Sequence, residues 1–179
     1  MTEQPIIIVN RDEIMNRYGL KILRVRSIIR YAKERQLRAY IPIIIRKNRN
    51  KVTHVVFVKT DLYKAALGGD EYAMAMLLYH WFKLNMERYR VSNNGTYKFT
   101  YPEMRRVLRD VFGIDLSRYG RGSGVKIGRV VWHIMHFIEN DEDLKNTVVV
   151  RRMYCGRNRG ALILYTNQHN NHGGDGNGM

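Results

Sequence analysis

Cysteine is almost absent from this chain: Cys155 stands alone among 179 residues. A single thiol makes no internal disulfide and no Cys-rich zinc site, which excludes disulfide-stapled and zinc-finger folds. Long apolar runs are missing as well. The nearest, residues 42–45 and 130–138, are short or broken by His133 and His136, against the roughly 18 consecutive apolar residues a spanning helix needs. The start, Met1-Thr2-Glu3-Gln4-Pro5, has no basic segment leading into an apolar run and so does not read as a secretory signal. A soluble chain in the reducing cytoplasm, with no membrane partner, is expected. Acids are scarce too: 16 Asp and Glu face 31 Lys and Arg, a net charge of +15. A field of that sign attracts phosphate at long range, so the expected partner is a polyanion. Apolar side chains, by contrast, are plentiful. At 45% of residues they suffice for a core and exclude a wholly disordered basic tail.

The cations are unevenly spread. Residues 1–69 hold 15 Lys and Arg against five acids, and residues 70–179 hold 16 against 11. Gly68-Gly69 falls between them, with Asp70 placed to cap a new helix. This divides the chain into an expected domain over 1–69, a second over 70–166, and a disordered Asn/His/Gly tail over 167–179. The first domain opens with Ile6-Ile7-Ile8-Val9, a strand or an anchored arm. Asn10 and Glu13 then have the spacing of a capping box, and Gly19 ends the helix they begin. A longer helix is predicted over 21–36. Its Val25, Ile28, Ile29 and Ala32 form the expected buried stripe, while Arg26, Arg30 and Lys33 line another face. β-rich runs over 40–45 and 52–58 flank Arg46-Lys47-Asn48-Arg49-Asn50-Lys51, the mark of a hairpin with a basic tip. Thr60-Asp61 is placed to cap a short closing helix.

In the second domain the helix over 71–90 is the strongest. Tyr72, Met76, Tyr79 and Lys83 share one row of it, and Ala75, Leu78 and Phe82 the next. Tyr72, Tyr79, Trp81, Phe82 and Trp132 read as core. A short strand over 96–99 leads into Thr100-Tyr101-Pro102-Glu103, a capping box with Pro at the helix start, and that helix stops at Gly113. A Gly-rich loop over 117–124 precedes a third helix over 125–139. Runs over 147–153 and 161–166 then enclose Cys155-Gly156-Arg157-Asn158-Arg159-Gly160, a second hairpin with a basic tip.

Both domains therefore run helix, helix, basic hairpin. A helix-turn-helix sets its second helix in the major groove, and cations beside it hold phosphate. Ile14-Met15-Asn16-Arg17-Tyr18-Gly19, the helix through Arg35, Leu37-Arg38-Ala39-Tyr40, the hairpin, and Phe57-Val58-Lys59-Thr60-Asp61-Leu62 follow one another in an order that resembles the MerR/excisionase type of winged helix-turn-helix, over about residues 10–67. The second domain resembles the broader winged-helix class in its element order. The resemblance implies an α+β fold of two small winged helix-turn-helix domains in tandem, each a helical unit with a β-hairpin wing. It implies DNA contacts from Arg24, Arg26, Arg30 and Lys33 on one recognition helix and from Arg46, Lys47, Arg49 and Lys51 on its wing. In the second unit they come from Arg118 and Arg121 before the helix, Lys126 and Arg129 at its start, and Arg151, Arg152, Arg157 and Arg159 on the wing.

Other chemistries have weaker claims. Gly120, Gly122 and Gly124 lack the Gly-Lys-Ser/Thr ending of a phosphate loop, so a flexible turn is the plainer reading. His133 and His136, and again His169 and His172, are three apart, but ordinary packing is the commoner role for the helical pair. Residues 139–145 contain an acid-x-Lys spacing of metal-dependent nucleases, without the partner acid on a nearby strand; an acidic surface loop is the alternative. No nucleophile triad stands out. The expectation is a sequence-specific binder of double-stranded DNA, neither an enzyme nor a cofactor protein, acting as a regulator of transcription or in replication or recombination control. A non-specific packaging protein is the runner-up, and a nuclease or recombinase subunit the reading from another class. Two readers in one chain imply a two-part site, or a homodimer on a longer palindrome.

Overall fold

Strand β1 (Ile6–Asn10) runs straight into helix α1 (Arg11–Tyr18) in the computed structural model, which describes residues 4–47, 50–92, 96–119, 127–146, 148–154 and 160–166. Asn10 caps α1 by accepting the Asp12 N–H at 2.9 Å. Glu13 does not complete a capping box, because its carboxylate instead accepts from the Tyr31 hydroxyl and the Arg35 guanidinium. Gly19 ends the helix at φ +62°, where a Cβ would be strained. Helix α2 follows (Val25–Glu34), then β2 (Tyr40–Lys47), β3 (Lys51–Lys59) and α3 (Thr60–Leu67). Thr60 and Asp61 lie inside α3 rather than before it. Its N-cap is Lys59, with no side-chain capping bond.

The strands form an antiparallel sheet in the order β1-β3-β2. Central β3 explains why Val55, Val56, Phe57 and Val58 are all buried. Successive side chains point to opposite faces of a strand, so Val55 and Phe57 meet α1 and α2 while Val56 and Val58 enter the larger cluster behind the sheet. Edge strand β2 carries an exposed Pro42, opposite Phe57, and a break in register between Ile45 and Arg46.

Helix α4 (Glu71–Ser92) starts at Asp70, whose carboxylate accepts the Ala73 N–H at 3.0 Å. Ala73, Met74, Ala75, Leu77, Leu78, Tyr79 and Phe82 are all buried, too many for a single stripe. A helix apolar on most sides is one that is surrounded, and α4 lies between the first sheet and the remaining elements. These are β4 (Thr96–Thr100), α5 (Tyr101–Asp110), a 3₁₀ turn (Leu116–Tyr119), α6 (Ile127–Glu139), β5 (Val148–Tyr154) and β6 (Gly160–Thr166). Thr100 caps α5 through the Glu103 N–H, with Pro102 in the first turn. The second sheet is antiparallel in the order β4-β6-β5.

The fold is thus mixed α+β, with two three-stranded antiparallel sheets. On each side of Gly68-Gly69 a strand, two helices and two strands follow in the same order, and the leading strand pairs with the last. The apolar cluster is continuous across the glycines: Ile6, Val56, Val58 and Ala66 belong to it, and so do Leu78, Ile134 and Leu162.

Two sets of residues expected inside lie outside. On α2, Val25 is 63% and Ile29 47% exposed, while Ile28 and Tyr31 face the sheet. Tyr31 stacks on Phe57 at 6.0 Å, so the large ring sets the buried face and turns Val25 and Ile29 to solvent. Tyr72 and Trp132 are also exposed, at 49% and 55%, and meet each other's surroundings through His133.

Candidate nucleic-acid interface

Of the three acids on α1 and α2, Glu13 and Glu34 tie the helices together, while Asp12 pairs with the adjacent Arg11. Glu34 receives Arg30 Nε at 3.1 Å, Arg17 Nη2 at 3.0 Å and the Tyr18 hydroxyl at 2.8 Å. The Tyr18 bond, with those from Arg30 and Arg17, holds its carboxyl below the ordinary range. Glu13 receives Tyr31 and Arg35, and the Arg35 guanidinium also lies 5.3 Å from the centre of the Tyr31 ring. Arg30 is held from two sides, since it lies 4.7 Å from the centre of the Tyr18 ring as well as on Glu34.

Of the α2 cations expected to contact DNA, Arg30 is paired with Glu34 and lies against the Tyr18 ring, with its side chain still 68% exposed. Arg24, Arg26 and Lys33 are exposed and have no ion-pair partner among the described residues. On the hairpin, Arg46 and Lys47 extend from β2 and Lys51 from β3. All three are exposed and likewise unpaired among the described residues, and Lys47 sits opposite Lys51. Arg49 lies outside the described residues.

Between the first turn of α2 and this hairpin runs an open groove of about 310 Å³. Arg46 and Lys51 stand on it with Arg11 and Lys21, around Ile22 and Val25, and no acid lines it. The groove unites the hairpin cations with the start of α2, whereas Arg24, Arg26, Arg30 and Lys33 do not line it. Sequence reading missed Arg11 and Lys21. Their signal was positional: Arg11 opens the helix directly after β1, and Lys21 follows the Gly19 stop at the mouth of α2. Arg11 is shared with Asp12 at 3.2 Å.

Arg121, Lys126, Arg157 and Arg159 lie outside the described residues, and Arg118 belongs to the 3₁₀ turn. Arg129, in the first turn of α6, is exposed and 3.7 Å from Glu71 at the start of α4. Arg151 is exposed on β5. Its neighbour Arg152 donates through Nε to the Tyr101 hydroxyl at 2.9 Å, and its guanidinium lies against Gly128. On the outer side of α6, His136 stacks on Trp132 at 5.2 Å and His133 packs edge-on to Tyr72. Among the described residues no three His, Cys, Asp or Glu side chains come together as a metal site.

The acidic segment after α6 is tied into the fold. Asp141 is the one buried charged residue described; it accepts the Tyr79 hydroxyl, Lys83 Nζ at 2.9 Å, and the N–H groups of Asp143 and Leu144. Lys145 turns to Glu142 at 2.9 Å, and Asp143 meets Lys83 at 3.3 Å. The acid-x-Lys spacing thus falls on an anchor between α4 and the end of α6.

Comparison with protein-family models, with curated proteins and with solved structures finds no match to this chain. No helix among the described residues is long and apolar enough to cross a membrane.

Proposed function

We propose that this chain binds double-stranded DNA through two winged helix-turn-helix units. The observation that carries the reading is the cationic margin formed where the first turn of α2 meets the β2–β3 hairpin, with Lys21, Arg46 and Lys51 beside Arg11 and no acid among them. The repeated order of strand, two helices and hairpin, with the leading strand pairing to the last, supports it. In this reading α2 enters the major groove, where Arg24, Arg26 and Lys33 are free to meet the duplex. The hairpin cations hold phosphate and fix register. Arg129 and Arg151 play the corresponding parts in the second unit. The task is site-specific control of transcription, replication or recombination.

A packaging role is favoured by one specific observation. The acid-free groove gathers Arg11, Lys21, Arg46 and Lys51, whereas Arg24, Arg26, Arg30 and Lys33 of α2 do not line it. Selection of bound duplexes from a random pool at about 150 mM salt separates the two readings. The expected result is enrichment of one motif, whose half-site spacing distinguishes one chain using both units from a homodimer on a palindrome. Retention without enrichment supports packaging. No retention of duplex DNA removes the proposal.

A further inference from the structure

Exposed apolar side chains scattered over a surface mean little, but a contiguous apolar patch with a polar rim marks a binding surface. Ile22 is 72% exposed and Val25 63%, and the two line one groove. Ile29, one turn beyond Val25 on α2, continues the stripe at 47% exposure. Four cations surround it, Arg11, Lys21, Arg46 and Lys51. A second copy of this chain is an unsuitable occupant, because each copy has a net charge of +15 and the groove has no acid to receive a cation. The surface calls for a polyanion that displays small apolar groups between its phosphates.

Duplex DNA is such a ligand, because the thymine C5-methyl is the apolar group on the floor of its major groove. RNA is not, since uracil lacks the methyl and the A-form major groove is too narrow for side chains to read. We propose that Ile22 and Val25 are specificity-determining residues that pack against thymine methyl groups, while Arg46 and Lys51 hold the adjoining phosphates. The proposal rests on the DNA-binding reading and adds to it a base preference with the residues responsible.

The experiment compares an enriched duplex with the same duplex carrying uracil in place of thymine, one position at a time, by equilibrium titration. Removal of a contacted methyl is expected to weaken binding about fourfold, the ratio for one buried methylene-sized group. With Ile22→Ser or Val25→Ser the thymine and uracil duplexes should bind alike at the position that each residue reads. Both side chains are exposed, so neither change disturbs the core. Arg46→Gln with Lys51→Gln should weaken both duplexes equally and lower the salt slope by about two. Equal binding of thymine and uracil duplexes by the unaltered protein overturns the methyl contact and leaves DNA binding standing. An unchanged salt slope in the double variant removes the groove as the site. No binding of any duplex at about 50 mM salt, where phosphate contacts are strong, overturns the DNA reading and this inference with it.

Discussion

Asp141 shows how far a single side chain is committed to structure. Its carboxylate is only 4% exposed and joins Tyr79 and Lys83 of α4 to the turn that ends α6. Asp141→Ala should lower unfolding free energy by about 3 kcal/mol, because it strands a buried hydroxyl and two N–H groups. Asp143→Ala should change stability by less than about 0.5 kcal/mol, since that carboxylate is 79% exposed and its ion pair with Lys83 is at the surface. Urea midpoints at constant m-value test both. His80 gives a pH dependence. Burial, with Lys83 adding to it, pushes its pKa down from 6.5 to about 4. The unfolded chain therefore binds a proton that the folded chain refuses. Stability is complete above pH 6.5 and falls between there and about pH 4, by up to about 3 kcal/mol. Thermal midpoints across that range should flatten in His80→Leu. A residual slope of the same sign is expected from His54, whose pKa burial also lowers. Among the described glycines Gly160 leaves least room: a Cβ there would come within 2.6 Å of the Met153 carbonyl oxygen and 2.8 Å of the buried Tyr101 ring. Gly160→Ala should destabilise by about 1–3 kcal/mol.

At the scale of elements, local chemistry was informative wherever one residue type decides the backbone. The β-branched runs became β2, β3, β5 and β6. Asn10, Asp70 and Thr100 cap the helices that follow them, and Gly19 ends one. What spacing could not supply was which side of an element finds a partner. Val25, Ile28, Ile29 and Ala32 have perfect helical spacing, yet Tyr31 took the place over Phe57 and rotated the buried face. Trp132 and Tyr72 were legible as helical aromatics, but not as aromatics that stack on histidines at the surface. Charge had the same limit. Arg26 and Arg30 are alike in sequence, and only the position of Glu34 and Tyr18 shows that one is free and the other tied. This difference predicts their behaviour. Arg26→Ala should erode discrimination between sites by about 1–3 kcal/mol if it reads a base. Arg30→Ala also removes the surface contacts to Glu34 and Tyr18, so it should in addition lower stability by about 0.5–1 kcal/mol, which Arg26→Ala should not. Competition between matched and mismatched duplexes, set beside urea midpoints, separates the two. Arg46, Lys47 and Lys51 to Ala should weaken binding on all sequences alike.

The whole molecule is governed by its charge and by the larger apolar cluster, which both sides of Gly68-Gly69 share. If about six phosphates are neutralised, log affinity should fall with log salt at a slope of about −5. A slope near zero in titrations from about 50 to 200 mM would remove the electrostatic basis of the reading. The excess of 15 cations on which this prediction rests is visible without a structure. The Gly68-Gly69 pair was visible too, but not the cluster that passes across it from Val56 and Val58 to Leu78 and Ile134. Burial of the Val56 and Val58 face of β3 depends on α4, whereas Val55 and Phe57 are covered by α1 and α2, so a fragment of residues 1–69 should keep the second cluster, expose Ile6, Ile45, Val56 and Val58, and unfold at a lower temperature than the full chain. Calorimetry of that fragment beside the full chain is the check.

The proline in β2 has a consequence beyond pairing. Tyr40-Ile41-Pro42-Ile43-Ile44-Ile45 lies on the open side of its sheet, and six such residues, dense in isoleucine and without a charge, are the kind of segment on which cross-β fibrils grow. Pro42 has no N–H with which to extend a ladder, and the shift in register before Arg46 bends the edge where the isoleucines end. One imino acid thus guards the colloidal life of the chain at high local concentration. Its replacement by valine would be felt first as turbidity, long before any change in the folded state.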